Sequence, residues 1–316
     1  MFTSRTPISL LEDQASVLRT QLDGVYDGAV EAVHAARVAT RRIRELLALV
    51  PFVPEQYREG DVASCYREVG RALGKVRDVD VQLAQIDNLE ARVPQAAPQL
   101  TIVRRDYERD RLARMRRLIK TLERLNVDVL LHVVGDAHPT GLRKRLASNG
   151  WRHQLRHLVV ERAHGAVDAI AHATGVYFPK RAHGARIAIK RVRYASEIAA
   201  ATGTATIEAA IKSLRKGQEI LGDLHDRQSL ADTLEGYARL DTTETAQIEL
   251  TRGLLEREVM QLHTQYLARR ASLREACADV EYAVAHAWRP GPAIAVSAAL
   301  AVSGVLVGRH ALAGTR

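Results

Sequence analysis

Two cysteines, Cys65 and Cys277, are all that the 316-residue chain contains, far apart and outside any CxxC spacing. Neither a disulfide framework nor a thiolate metal centre is indicated, and no carboxylate and histidine set shows clear metal-ligand spacing. Aromatic residues are only 4% of a chain that is 47% hydrophobic, so the core must be built from Leu, Val, Ile and Ala, a palette that favours helices. The same scarcity removes the stacking platforms on which single-stranded nucleic acid is usually held. The opening stretch MFTSRTPISLLEDQ has no long apolar segment of the secretory kind, so a cytoplasmic protein is expected. Long hydrophobic runs are missing, with one exception. Residues 290–308, PGPAIAVSAALAVSGVLVG, carry no charge over 19 residues between Arg289 and Arg309. At the short end of the spanning range and only modestly hydrophobic, this tail (290–316) reads either as a C-terminal membrane anchor or as a helix folded back on the domain.

Acid is also in short supply. The formal net charge is +9, which points to a polyanionic partner: nucleic acid, a polyphosphate chain or an anionic membrane. The shortage is most acute in HAARVATRRIR, His34 to Arg44, which has four arginines and no acid. Apolar residues recur at three- and four-residue steps over about 8–34, 34–50, 61–90, 97–131, 142–174, 183–201, 205–236 and 244–287, and strand-like alternation is scarce. Breaks fall at VPFVPEQ (50–56), RVPQAAPQ (92–99), GDAHPTG (135–141), TGVYFPK (174–180) and ATGTAT (201–206), which suggests helical hairpins stacked as bundles.

The basic stretch occurs twice. HGARIAIKRVR at 183–193 repeats it at an offset of 149, setting His34 over His183, Arg37 over Arg186, Arg41 over Lys190, Arg42 over Arg191 and Arg44 over Arg193. At an offset of 148, RALGKVRDVD (71–80) matches EILGDLHDRQ (219–228), with Gly74 over Gly222 and Asp78 over Asp226, and YERD (107–110) matches LERE (255–258), with Arg109 over Arg257. Three motifs in one order at a nearly fixed offset indicate an internal duplication, with the division near 135–141. The expected fold is all-α: two helical bundles, about 8–134 and 142–287, in a pseudo-twofold relation.

On a helix, His34, Arg37, Arg41 and Arg44 fall within about 80° of one another, with Val33, Ala36, Ile43, Leu47 and Val50 opposite. His183, Arg186, Lys190 and Arg193 form the same stripe, whereas Arg42 and Arg191 lie off it. Like charges three and four residues apart each destabilise a helix by a few tenths of a kcal/mol. An anion spanning the stripe would offset that cost; the alternative is a solvated face balanced by acids from neighbouring helices. Gly74 and Gly222 imply a close approach, because a mid-helix glycine costs about 1 kcal/mol. Asp78 and Asp226 are placed to orient an arginine of the basic helix, or to form a plain salt bridge. Lys75 and Arg77 add positive charge in the first copy, where the second has Asp223 and His225. The 104–120 segment is also basic but interleaved with Asp106, Glu108 and Asp110, and ordinary helix pairing accounts for part of it; Arg109 is favoured by its partner Arg257, so Lys75, Arg77, Arg109 and Arg257 join the candidate anion-binding residues.

HAARVATRRIR with LGKVRDVDV, repeated as HGARIAIKRVR with LGDLHDRQ, resembles the CHAD domain over about residues 8–287. The resemblance implies two four-helix bundles whose basic helices line a central channel. It implies binding of inorganic polyphosphate without catalysis, often at polyphosphate granules. It carries that role to His34, Arg37, Arg41, Arg42, Arg44, His183, Arg186, Lys190, Arg191 and Arg193. The ExExK signature of the triphosphatase domain that accompanies many relatives does not occur, so a stand-alone binding module without cofactor is expected. Arginine forks suit phosphate oxygens, and His34 and His183 can donate as neutral tautomers or charge up beside phosphate, which predicts tighter binding at mildly acidic pH. Two other readings stand beside it. One is a nucleic-acid-binding helical protein. The other is a metal-dependent phosphohydrolase built on His225-Asp226, whose counterpart in the first copy is Arg77-Asp78.

Overall fold

The computed structural model describes residues 5–49, 59–135, 150–203, 207–238 and 245–287. The expected breaks at 50–56 and 135–141 fall largely outside these residues, and the apolar tail 290–308 wholly so. Among the described residues there is no strand, and no helix is long and apolar enough to cross a membrane.

Among the described residues nine α-helices follow one another: α1 (Pro7–Tyr26), α2 (Val30–Leu47), α3 (Glu59–Arg92), α4 (Ala97–Arg124), α5 (Val127–Gly135), α6 (Gly150–His172), α7 (Pro179–Ala201), α8 (Glu208–Ala238) and α9 (Thr245–Ala287). A 3-10 turn, Pro94–Ala96, links α3 to α4. Local chemistry sets several ends. Thr6 and Ser9 close a reciprocal capping box around Pro7, which starts α1 where a proline does no harm. Gly28, at φ +77°, ends the first helical stretch earlier than its periodicity suggests and turns the chain into α2.

The halves are packed in the same order. In the first, α1 packs on α2, α2 on α3, α3 on α4, and α5 returns to α1; in the second, α6 packs on α7, α7 on α8, α8 on α9, and α9 returns to α6. Each half is thus a four-helix bundle. Contacts between them join α2 to α7 and α3 to α8, pairs that the sequence repeat sets over each other, and α9 also reaches α4 and the 3-10 turn. The two fourth helices differ. Periodicity suggests an unbroken helix over 97–131, but the chain kinks between α4 and α5 at Asn126 (φ 46°), whose side-chain oxygen accepts from the Val129 amide at 3.4 Å. Asparagine tolerates that left-handed conformation and caps the next helix. Its counterpart at the 148 offset is Arg274, inside the continuous 43-residue α9.

One apolar cluster runs through both halves, from Leu10 and Val33 to Ile189 and Val284. A second joins the far ends of α3, α4, α8 and α9 around Ile86, Leu100, Leu230 and Leu255. Polar ties reinforce that seam: Tyr107 Oη and Thr233 Oγ1 are 3.0 Å apart, and the Tyr237 hydroxyl donates to Asp106 at 2.6 Å. Glu258 on α9 takes Arg227 of α8 at 2.7 Å and also Arg92 of α3. Burial alone would push the Glu258 carboxyl up, but the two arginine hydrogen bonds outweigh it and hold the group below the usual carboxylate range.

Asp80, with a fully buried side chain, receives Arg111 Nε at 2.6 Å, while Arg111 Nη2 donates to the Gly28 carbonyl at 2.8 Å. One guanidinium thus ties α4 to α3 and to the α1–α2 turn. Asp80→Ala should destabilise the fold by about 3 kcal/mol, because it strands a half-buried cation, whereas Asp80→Leu/Arg111→Met should cost much less. Urea unfolding midpoints of the three proteins measure the difference.

Candidate anion-binding site

The apolar side of α2 builds the floor of the site. Val33, Ala36 and Ile43 are fully buried, which turns the opposite stripe of α2 toward the seam with α7. On α7, Ala185, Ile189 and Val192 do the same. Two acid-free stripes therefore meet where the halves touch.

Arg37 lies across α3, its Nε 3.5 Å from where a Cβ on Gly74 would sit. Its counterpart Arg186 lies across α8 in the same manner, its Nε 3.8 Å from the Cβ position of Gly222. The two mid-helix glycines are thus explained by an arginine laid flat over the next helix, which extends the close approach expected from the sequence to a side chain. Asp78 Oδ1 stands 3.7 Å from Arg37 Nη2, and the aspartate side chain is 68% exposed, so this is an open, loosely made pair rather than a buried salt bridge. Burial lowers the Arg37 pKa, Arg41 and Arg186 lower it further, and Asp78 opposes them. Asp226 is half-buried; burial raises its carboxyl pKa, with Arg186 pulling the other way and Asp223 and Asp78 adding to the rise.

Lys190 sits deepest in the electrostatic sense. Burial, then Arg41, Arg186 and Arg37, pull its ammonium down to about 7, with Asp78 in weak opposition. The histidines are depressed as well. Burial lowers His34, followed by Arg77, Arg37 and Arg41. Burial lowers His183, followed by His225, Arg186 and Lys190, and its ring centroid is 4.8 Å from that of His225. At neutral pH these imidazoles are uncharged, and Lys190 is the group of the cluster that titrates there.

At one end of the stripe Arg41 donates to the Tyr194 hydroxyl, and the Tyr194 ring also carries Arg193 with its guanidinium carbon 4.4 Å from the ring centre. Arg44 lies over Gly70 of α3, Nη1 3.6 Å from the Cβ position there.

The cluster brings together His34, Arg37, Arg41, Arg44, Arg77, His183, Arg186 and Lys190. Other expected residues stand apart. Arg193 is spent on Glu197 at 2.5 Å and Gln218 at 2.9 Å. Arg42 lines a separate cavity of about 630 Å³ with Arg5, Glu45 and Lys212, and Arg191 is exposed beside it in sequence but off the stripe. Lys75 faces the outer groove between α3 and α4. Arg109 is 78% exposed and pairs with Asp106 at 3.3 Å on its own helix, and the Arg257 guanidinium lies against Gly253 on its own. The support that Tyr194 gives Arg41, the lowered Lys190 ammonium and the buried Asp80–Arg111 tie were not legible in the sequence. Each depends on groups from another helix. Among the described residues no group of three or more His, Cys, Asp or Glu side chains is placed to hold a metal ion.

A family model for the CHAD domain matches residues 9–235. The chain belongs to the CHAD domain family. The match covers α1 to most of α8, and α9 completes the second bundle beyond it. Among solved structures, the CHAD domain from the plant Ricinus communis has a TM-score of 0.59 at 21% identity, over 89% of this chain and 91% of that one. PptA from Streptomyces chartreusis also has a TM-score of 0.59, at 18% identity over 86% of this chain and 99% of that one. Both likenesses are of fold. A search of curated protein sequences finds no match.

Below pH 7 the folded protein must hold a charged Lys190 among arginines; between about 7 and 10 it holds the neutral amine while the unfolded chain still binds the proton. The unfolded state binds more protons in that window, so this group makes stability rise with pH there. Lys190→Met should stabilise the protein at pH 7 and below, and the gain should shrink as the pH approaches the ordinary lysine range. Thermal melts from about pH 6 to 10 read this out; a gain that is constant over the range would contradict the burial of the ammonium.

Proposed function

We propose that this CHAD domain binds inorganic polyphosphate, without catalysis, along the seam between α2 and α7. The observation that carries the reading is the meeting of two acid-free stripes: Arg37, Arg41, Arg186 and Lys190 face one another, with the exposed Asp78 and the half-buried Asp226 as counter-charges from the neighbouring helices. Such a cluster is repulsive when empty and is relieved by a ligand that brings regularly spaced negative charge. Polyphosphate has no bases to read, so arginine forks and a groove of suitable width suffice. Family membership agrees with this reading. Protein held near polyphosphate granules in the cytoplasm would follow from it.

Nucleic acid is less well served. The aromatic side chain at the seam, Tyr194, is buried and its ring is already packed by Arg41 and Arg193, which leaves no platform for a base. A phosphohydrolase built on His225 and Asp226 is also less well served: His225 packs on His183, and Asp226 faces Arg186. Release of phosphate from polyphosphate on incubation with divalent metal would favour that enzyme instead.

Arg37→Glu/Arg186→Glu should abolish binding of long-chain polyphosphate at about 150 mM salt while leaving the helical circular dichroism intact; unchanged binding, or RNA outcompeting polyphosphate at equal charge, would remove the proposal. Wild-type affinity should also rise as the pH falls from about 8 to 6, because binding returns the proton to Lys190. That dependence should flatten in Lys190→Met, measured by titration calorimetry in buffers of different ionisation heat.

A further inference from the structure

The central groove leaves a second basic feature unexplained. On α3, Arg67, Arg71 and Lys75 follow one another at four-residue steps, so they form a like-charge stripe of their own. Arg44 ties this stripe to the first. Its guanidinium lies over Gly70, between Arg67 and Arg71; Glu45, which is itself paired with Arg162, attracts it, and Arg67, Arg41 and Arg71 repel it. Beyond Arg71 the surface opens into a groove of about 230 Å³ between α3 and α4, lined by Arg71, Lys75, Arg114, Arg117, Glu68 and Thr121.

The acids around this groove are already taken. Glu68 is paired with Arg124, and Asp110 with Arg114 at 2.7 Å. Arg114 is further held by the Lys75 carbonyl, to which its Nη1 donates at 2.7 Å. Arg71, Lys75 and Arg117 have no acidic partner among the described residues. A solvated face would intersperse acids to relieve such a stripe, and the second half does so. At the 148 offset, Arg71 and Lys75 become Glu219 and Asp223, while Arg114 and Arg117 become Leu262 and Gln265. The counterpart of Arg44, Arg193, is neutralised by Glu197, a position that is Ala48 in the first half. Unrelieved positive charge thus leads out of the seam over the first half and not over the second.

We propose that a long polyphosphate chain leaves the central groove at Arg44, crosses α3 at Arg67 and Arg71, and continues along the outer α3–α4 groove on Lys75 and Arg117. This rests on the polyphosphate reading of the seam and gives the protein a preference for long chains over short ones. The ligand exits in one direction, over the first half. Interaxial spacing of packed helices is about 8–10 Å, so crossing α3 and entering the next groove adds a segment that a short oligomer held at the seam does not reach.

The test compares a short chain of about eight phosphates, matched to the number of contacts the seam itself offers, with long-chain polyphosphate. Arg71→Glu/Arg117→Glu, both surface changes, should weaken the long chain by about tenfold or more and lower the slope of log affinity against log salt by about 1 to 2, while short-chain affinity stays within twofold. The milder Arg71→Gln/Arg117→Gln should shift the long chain in the same direction by less. Equal loss for both lengths, or no loss for either, overturns the outer track while leaving the seam in place. Failure of the wild-type protein to bind either length overturns the seam reading first. Loss of single-stranded RNA binding with polyphosphate binding unchanged assigns the outer groove to nucleic acid and overturns the proposal.

Discussion

Everything in this fold is arranged around one unfavourable contact: two helices without acid on their facing stripes are pressed together where the halves meet. Two unit charges about 6 Å apart at an effective dielectric near 20 repel by about 3 kcal/mol, and three arginines, Arg41, Arg186 and Arg37, act on Lys190. The contact survives because most of it is not electrostatic. Beneath each stripe lie fully buried apolar residues, Val33, Ala36 and Ile43 on α2 and Ala185, Ile189 and Val192 on α7, within one continuous core. At the far ends of the long helices the second apolar cluster and the Glu258 double bridge clamp α3 to α8 through α9. The repulsive centre is thus held shut from both sides.

The repetition of the architecture makes its departures informative. Where the first half has Arg77 near His34, the second has His225 against His183, so one end of the seam keeps a permanent charge and the other has a neutral imidazole pair. Arg44 lies over Gly70 with only the electrostatic pull of Glu45, while Arg193 is locked by Glu197 and Gln218. The kink at Asn126 has no counterpart in α9. The first two of these differences leave more unpaired positive charge on the first half, and they turn a nearly symmetric scaffold into one with a direction.

Helical periodicity and the doubled motif made the bundle and the stripes legible from sequence. The phase of α2 alone separated Arg37 and Arg41, which enter the seam, from Arg42, which lines a different cavity. What periodicity does not encode is which helix lies opposite. Lys190 looked like one more cation of the stripe, and only the arrival of Arg37 and Arg41 from α2 gives it an ammonium that titrates near neutrality. Gly74 and Gly222 were recognisable as close-approach positions, but the approaching group, an arginine on a neighbouring helix, was not. Asn126 carried a usable local signal, an asparagine ahead of a fresh apolar run, which the strong helical pattern on either side masked. Arg109 and Arg257 show the converse failing: they align in the repeat yet lie exposed on their own helices, so shared register does not imply a shared site.

The depressed ammonium also resolves a tension between folding and binding. A seam charged strongly enough to hold a polyanion would, if fully charged when empty, oppose its own assembly. Lys190 relaxes that conflict by resting partly as the neutral amine, and the lowered histidines add nothing to the repulsion at neutral pH. An arginine in its place could not do so, because guanidinium does not give up its proton in this range. The counterpart position in α2 is Arg41, which has instead the Tyr194 hydroxyl and ring as a neutral support for its permanent charge. The same repeat position is therefore solved in two ways, one by losing charge and the other by cushioning it. A negatively charged chain entering between them would remove the need for either.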